Sequence, residues 1–241
     1  PQVQSSTEGS FEQQARGHWR TYGVTDGLAA LDVHDILRDR DGNMWFATEG
    51  GGVSRYDGEG WTSFDVSDGL FSNGVYDIVQ DGAGSLWFRS PRGVSRFDGL
   101  SWTTFTEKDG LVQTSLADYI AVLFTDRDGH IWCGSFLGRI SRYDGNQWTT
   151  FDDIDGRRIG RLREAIQDRN GNLWFATDDG AIRYQDGNWH IYDVGDGLAG
   201  PTVLSVAADS SGAIWFATTA GLSRFEQGSW PFQHKQRLKG W

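Results

Sequence analysis

Four arginines, Arg157, Arg158, Arg161 and Arg163, fall within seven residues of a chain whose formal net charge is −11. A guanidinium presents a planar fork of donors that matches carboxylate or phosphate oxygens. Such a run in an acidic chain points to an anionic ligand or an acidic partner. The competing use is local: Asp152, Asp153, Asp155 and Glu164 lie close enough in sequence to be neutralised by it. Three further arginines belong to the same candidate patch, Arg89, Arg92 and Arg139. A second set is acidic. Asp35, Asp77 and Glu164 share one position of a repeat that places Val122 and Ser205 there in its other copies. Facing a common axis, three carboxylates could hold a cation or polar ligand groups. Facing sideways, they would pair with neighbouring strands. Asp118 and Tyr119 complete the candidates, at the end of the longest connecting segment, 106–119.

The repeat that positions these residues is written five times: DRDGNMWFATEGGGVSRYDG, DGAGSLWFRSPRGVSRFDG, DRDGHIWCGSFLGRISRYDG, DRNGNLWFATDDGAIRYQDG and DSSGAIWFATTAGLSRFEQG. Its Trp residues, Trp45, Trp87, Trp132, Trp174 and Trp215, recur every 41 to 45 residues. Short aromatic and β-branched runs separated by Gly, Asp and Asn at that period predict an all-β chain, a β-propeller of about five four-stranded blades. In blade two the strands are expected at 75–80, 85–90, 93–97 and 101–105. The turn from Asp39 to Asn43 and its relatives reads as a hairpin with Gly in a left-handed position. Its wording also resembles a calcium loop, but the chain enters a strand at once and no Glu arrives at the twelfth position. Residues 1–17 read as a polar lead-in and 18–234 as one domain, with 235–241 as a tail. Residues 18–22, Trp19 among them, are expected to close the ring as the outer strand of blade five. Trp230-Pro231-Phe232 is the rival for that place.

Features written alike in every blade are read as framework. The Trp stripes and the strand-c arginines, Arg55, Arg96, Arg142, Arg183 and Arg224, belong there, the arginines held by a carboxylate or an aromatic face. Departures from the repeat are the candidates for function. Blade four replaces the usual Asp-Gly-Leu connection with the arginine run, and Arg89 stands where other blades have Ala47, Gly134, Ala176 and Ala217. The connections that carry Arg92, Arg139 and the run share one face of a propeller, around the channel mouth, where function gathers on loops.

The acidic balance argues against nucleic acid or anionic membrane as partner, because the mean field repels phosphates. No apolar run approaches the roughly 18 residues that span a bilayer, and no signal peptide is visible. Cys133, the single cysteine, sits where other units have Phe and reads as a buried, inert thiol.

The wording D-x-x-G-x-L-W-F-x-T, then G-V-S-R-F-D, W-x-x-F and D-G-L resembles the two-component regulator propeller repeat over about residues 18–230. That resemblance implies the extracytoplasmic ligand-sensing part of a bacterial hybrid sensor, usually in a larger ring and followed by membrane, kinase or receiver segments that this sequence does not show. GNLWFAT is also similar to the repeat of virginiamycin B lyase, which implies a metal with His and Glu on one face. Here His18, His34, His130, His190 and His234 are dispersed in the repeat frame, so neither a metal nor another cofactor is expected. The reading is a non-catalytic binding module for a small-molecule or glycan ligand, an anionic one among them, or for a protein partner. The alternatives are a lyase or hydrolase using Asp35, Asp77 or Glu164 as acid or base, and a structural assembly scaffold.

Overall fold

The computed structural model describes residues 18–226 apart from 113, 114, 116 and 117. Nineteen strands form five antiparallel sheets in chain order. Blade one holds β1 (Val33–Arg38), β2 (Met44–Thr48), β3 (Gly52–Tyr56) and β4 (Trp61–Phe64), and blade two holds β5 (Asp77–Gln80), β6 (Leu86–Ser90), β7 (Gly93–Phe97) and β8 (Trp102–Phe105). Blade three holds β9 (Ile120–Thr125), β10 (Ile131–Ser135), β11 (Ile140–Tyr143) and β12 (Trp148–Phe151). Blade four holds β13 (Leu162–Gln167), β14 (Leu173–Thr177), β15 (Gly180–Gln185) and β16 (Asn188–Tyr192). Blade five has β17 (Val203–Ala208), β18 (Ile214–Thr218) and β19 (Gly221–Phe225). Every blade is an up-and-down meander, as short alternating runs joined by tight turns require.

Each blade builds one internal unit around its Trp. The indole Nε1 donates to the aspartate of the first turn, Asp39, Asp81, Asp126, Asp168 and Asp209, at 2.8–2.9 Å. The strand-c arginine lies across the same indole, its guanidinium carbon 5.6–6.0 Å from the ring centre in all five blades. The aromatic reading of those arginines therefore holds, and the turn aspartates are committed to the turn. Packing between blades supplies the core. Trp45, Ala47 and Val53 bury against Val75, Ile78 and Phe88 of the next blade, and the later junctions repeat the scheme.

Two expectations change. Residues 18–22 form no strand and do not complete blade five; Tyr22 packs instead on blade one, its ring centre 6.0 Å from Tyr56 and 5.6 Å from Trp61. An aromatic pair offset in this way is worth about 0.5–1.5 kcal/mol beyond its buried area, which favours that seat over a lone edge pairing. Blade five accordingly has three strands among the described residues. The rival segment 229–234, the lead-in 1–17 and the tail 235–241 lie outside the described residues.

Candidate functional site

The usual connection into a blade is a capped turn. Asp26, Asp68, Asp109 and Asp196 each accept the backbone N–H three residues earlier at 2.8–3.0 Å, and the Leu that follows is buried. A strand-c serine then fixes the next N–H: Ser54 holds Ala29, Ser95 holds Phe71, Ser141 holds Val112 and Ser223 holds Ala199, at 2.8–2.9 Å. Blade four loses both devices together. Ile182 replaces the serine, and it packs with Ile154 and Ile159 of the arginine-rich connection in one buried cluster. That connection turns tightly through Asp155, at φ 53°, with Ile154 and Arg157 exchanging backbone hydrogen bonds of 2.9 and 3.0 Å. Apolar packing has replaced polar pinning, and the arginines ride on it.

The structure divides the arginine patch. Arg89, Arg92, Arg161 and Tyr119 meet in one cavity of about 480 Å³ at the mouth of blades two to four, together with Tyr76, Pro91, Ser115 and Ala121. Arg161 lies over Phe136, 5.0 Å from the ring centre, and Phe136 stacks on Tyr119 at 5.0 Å. Among the described residues Arg161 Nε is buried without a hydrogen-bond partner, and neither Arg92 nor Arg161 has a carboxylate within ion-pair distance. Arg89 is already committed. It pairs with Asp77, donates to the Ile120 carbonyl at 2.7 Å and lies over Tyr76. Burial raises the Tyr76 phenol above its ordinary pKa, and the hydrogen-bonded Glu49 carboxylate adds to that. The phenol therefore stays a neutral donor at physiological pH.

Arg157, Arg163 and Arg139 are paired with carboxylates, and of Asp152, Asp153, Asp155 and Glu164 only Asp152 appears in these pairs. Arg157 pairs with Asp193 at 3.3 Å and Arg163 with Asp178 at 2.5 Å. Arg139 stands between Asp118, at 3.6 Å, and Asp152, at 3.4 Å. Arg158 is exposed and shares a separate groove with Arg139 and Asp152. Asp118 is buried and spent on framework, accepting from Leu137 N at 2.8 Å and Ser135 Oγ at 3.3 Å.

Asp35, Asp77 and Glu164 do line the central channel, beside Val122 and Arg163. Their carboxylates are nonetheless used sideways. Asp35 accepts Ile78 N of blade two at 2.8 Å, and Glu164 accepts Val206 N of blade five at 2.9 Å. Asp35 and Glu164 are thus pins between blades, while Asp77 is held by Arg89 within blade two. His34 lies 3.1 Å from Glu49 and 3.8 Å from Asp32, and all three residues are exposed. Cys133 is buried, and burial pushes its thiol far above the usual range.

Tyr76, Ala121, Pro91, Phe136 and Ser115 were not anticipated, yet the repeat carries a signal for most of them. One strand-a position reads His34, Tyr76, Ala121, Arg163 and Leu204, different in every blade. The position after strand b reads Glu49, Pro91, Phe136, Asp178 and Thr219. Variation at a fixed repeat position marks the cavity wall.

No curated protein matches this sequence. Among solved structures, the chain is similar to the extracellular domain of a protein described as a hybrid two component system from B. thetaiotaomicron, at 20% identity and a TM-score of 0.62. That likeness covers 81% of this chain and 27% of the other. PorZ, a surface component of the type-IX secretion system of Porphyromonas gingivalis, is similar at 19% identity and a TM-score of 0.64, over 88% of this chain and 35% of its own. Virginiamycin B lyase from Staphylococcus aureus is similar at 16% identity and a TM-score of 0.61, over 82% and 68%. The chain thus spans about a quarter to a third of the sensor domains it matches, and these likenesses establish the propeller fold. The two component regulator propeller profile matches residues 27–50. That match covers β1 and β2 of blade one, in a chain whose fold is a β-propeller of five blades.

Proposed function

We propose that this chain is a non-catalytic, extracytoplasmic binding propeller that holds a small anionic ligand, or the acidic group of an oligomeric one, in the cavity at its channel mouth. The observation that carries this reading is the pair Arg92 and Arg161. Among the described residues, these two guanidinium groups have no carboxylate partner, and they face one cavity of a protein whose net charge is −11. Arg161 is held over Phe136, so little side-chain freedom is lost when an anion docks. Tyr119 adds a hydroxyl at the cavity wall to orient a polar ligand. The sensor-type neighbours support an extracellular setting and a recognition role, while the committed states of Asp35, Asp77 and Glu164 speak against acid–base chemistry in the channel.

The test is a binding screen by calorimetry against small carboxylates, sugar acids and sulfated sugars, with neutral sugars as controls. At least one anionic class binds, and Arg92→Ala with Arg161→Ala weakens it at least tenfold while the melting temperature stays unchanged. Equal binding by the double variant, or binding confined to neutral sugars, overturns the reading.

A further inference from the structure

The five blades form an arc whose two ends carry the two halves of a blade junction. At each internal junction a blade presents a Trp and a small aliphatic residue to the next: Trp45 with Val53, Trp87 with Val94, Trp132 with Ile140, and Trp174 with Ala181. All eight are at most 2% exposed. Blade five presents the same pair, Trp215 and Leu222, at 37% and 69% exposure. The receiving faces tell the complementary story. Val75, Ile78, Leu86 and Phe88 of blade two are buried under blade one. Their counterparts in blade one, Val33, Ile36, Met44 and Phe46, instead line an open and almost wholly apolar cavity of about 420 Å³, with Trp61 and the chain's own Tyr22 at its outer side.

The polar bonds agree. Ile78 N and Val206 N are each taken by a carboxylate of the preceding blade. Ile36 N, at the same position in blade one, turns to its own Asp35, at 2.8 Å. Ser205 stands on the blade-five face at the pin position and offers a hydroxyl there.

We infer that these two faces are one interaction surface in two parts, and that in the isolated protein blade five of one copy docks onto blade one of a second copy, head to tail. The occupant follows from the four internal junctions. What covers a face of the blade-one kind is a Trp-bearing sheet face of the blade-five kind. Among the described residues, these two faces are the ones left without their counterpart. The contact is heterologous, so each copy keeps one face free after a single docking.

Sedimentation over a wide concentration range tests this, with Leu222→Asp and Ile36→Asp as variants. Both side chains are exposed, so both variants keep the wild-type circular dichroism and melting behaviour at low concentration. The wild type is expected to associate as concentration rises. Each variant alone remains monomeric, because every docking needs one face of each kind. An equimolar mixture of the two gives a dimer and stops there, since one intact blade-five face meets one intact blade-one face. A wild type that stays monomeric at all concentrations overturns the inference. So does a mixture that behaves as its separate components, or association that both variants retain. Burial of Trp215 in a monomer, read as the quenching difference between wild type and Trp215→Phe, would mean that the chain's own segments cover the face, and overturns it too.

Discussion

The Trp–Asp unit allows one substitution to be measured against its own internal control. Asp168 accepts four hydrogen bonds: Asn170 N and Asn172 N on Oδ1 at 2.9 Å, and Asn172 Nδ2 and Trp174 Nε1 on Oδ2 at 2.8 and 2.9 Å. Trp174 is 1% exposed, so Asp168→Ala leaves its indole N–H with neither partner nor water. A buried donor orphaned in this way costs about 1–3 kcal/mol, and the buried Asn172 groups add roughly 1–2 kcal/mol more. Asn170 N is exposed and turns to solvent. The expected loss is therefore about 2–5 kcal/mol. Asp209→Ala deletes the same group in blade five, where Trp215 is 37% exposed and can hydrogen-bond to water, and is expected to cost about 1–2 kcal/mol. Urea denaturation of dilute protein, followed by Trp fluorescence, measures both as midpoint shifts. A double-mutant cycle with Trp174→Phe isolates the indole bond: the cavity cost of the smaller ring appears in both backgrounds and cancels, leaving a coupling of about 1 kcal/mol or more. Equal losses at Asp168 and Asp209 would refute the argument that burial of the orphaned donor, rather than the turn, sets the cost.

Two further expectations concern the backbone and acid. Gly129 and Gly138 both have positive φ, 87° and 82°, but a Cβ at Gly129 meets nothing within 4 Å while one at Gly138 falls 1.5 Å from the Ile159 carbonyl oxygen. Gly129→Ala should cost about 1–2 kcal/mol for the left-handed backbone alone, and Gly138→Ala clearly more, because the arginine-rich connection must retreat; matching thermal shifts would exclude that contact. Asp57, Asp98 and Asp144 have lowered pKa values because each accepts two turn N–H groups, and Asp209 because of Ser211 and Trp215. A carboxyl whose folded pKa lies below its unfolded value of about 3.9 stabilises fully above that pH and loses its contribution as pH falls through the folded value. Unfolding midpoints should be alike at pH 7 and 5 and lower at pH 3; a midpoint unchanged at pH 3 would contradict the assignment.

The framework was legible in the sequence because it is repeated. Trp45 and its four relatives, the turn aspartates and the strand-c arginines recur at one register, and one physical role satisfies all five copies. The site was half legible. The loops of blades two to four do bring Arg89, Arg92, Arg161 and Tyr119 together. Which arginine keeps its charge free depends on Asp178 and Asp193, 15 and 36 residues from the arginines they neutralise. No local pattern encodes those distances. Asp35 and Glu164 show a second limit. A strand position can be aligned across blades, but whether its carboxylate faces the axis or the next strand depends on an N–H 42 or 43 residues away. The closing strand was misplaced for a similar reason, since the aromatic seat on blade one that takes Tyr22 is assembled from residues 34 or more positions later.

The placement of each Trp between two owners bears on how such a protein grows. In blades one to four its indole is bonded within its own blade, but its ring is buried by the next. A stretch of about 42 residues therefore contains a donor face, an acceptor face and the bond that orients both. Copying that stretch copies a finished joint, with no compensating change demanded at the seam. Gain or loss of a whole unit is thus a smaller step for this architecture than many single substitutions inside one. The connections diverge only as far as the joint lets them, since each keeps an apolar residue, such as Leu70, Leu111, Ile159 or Leu198, in a junction core.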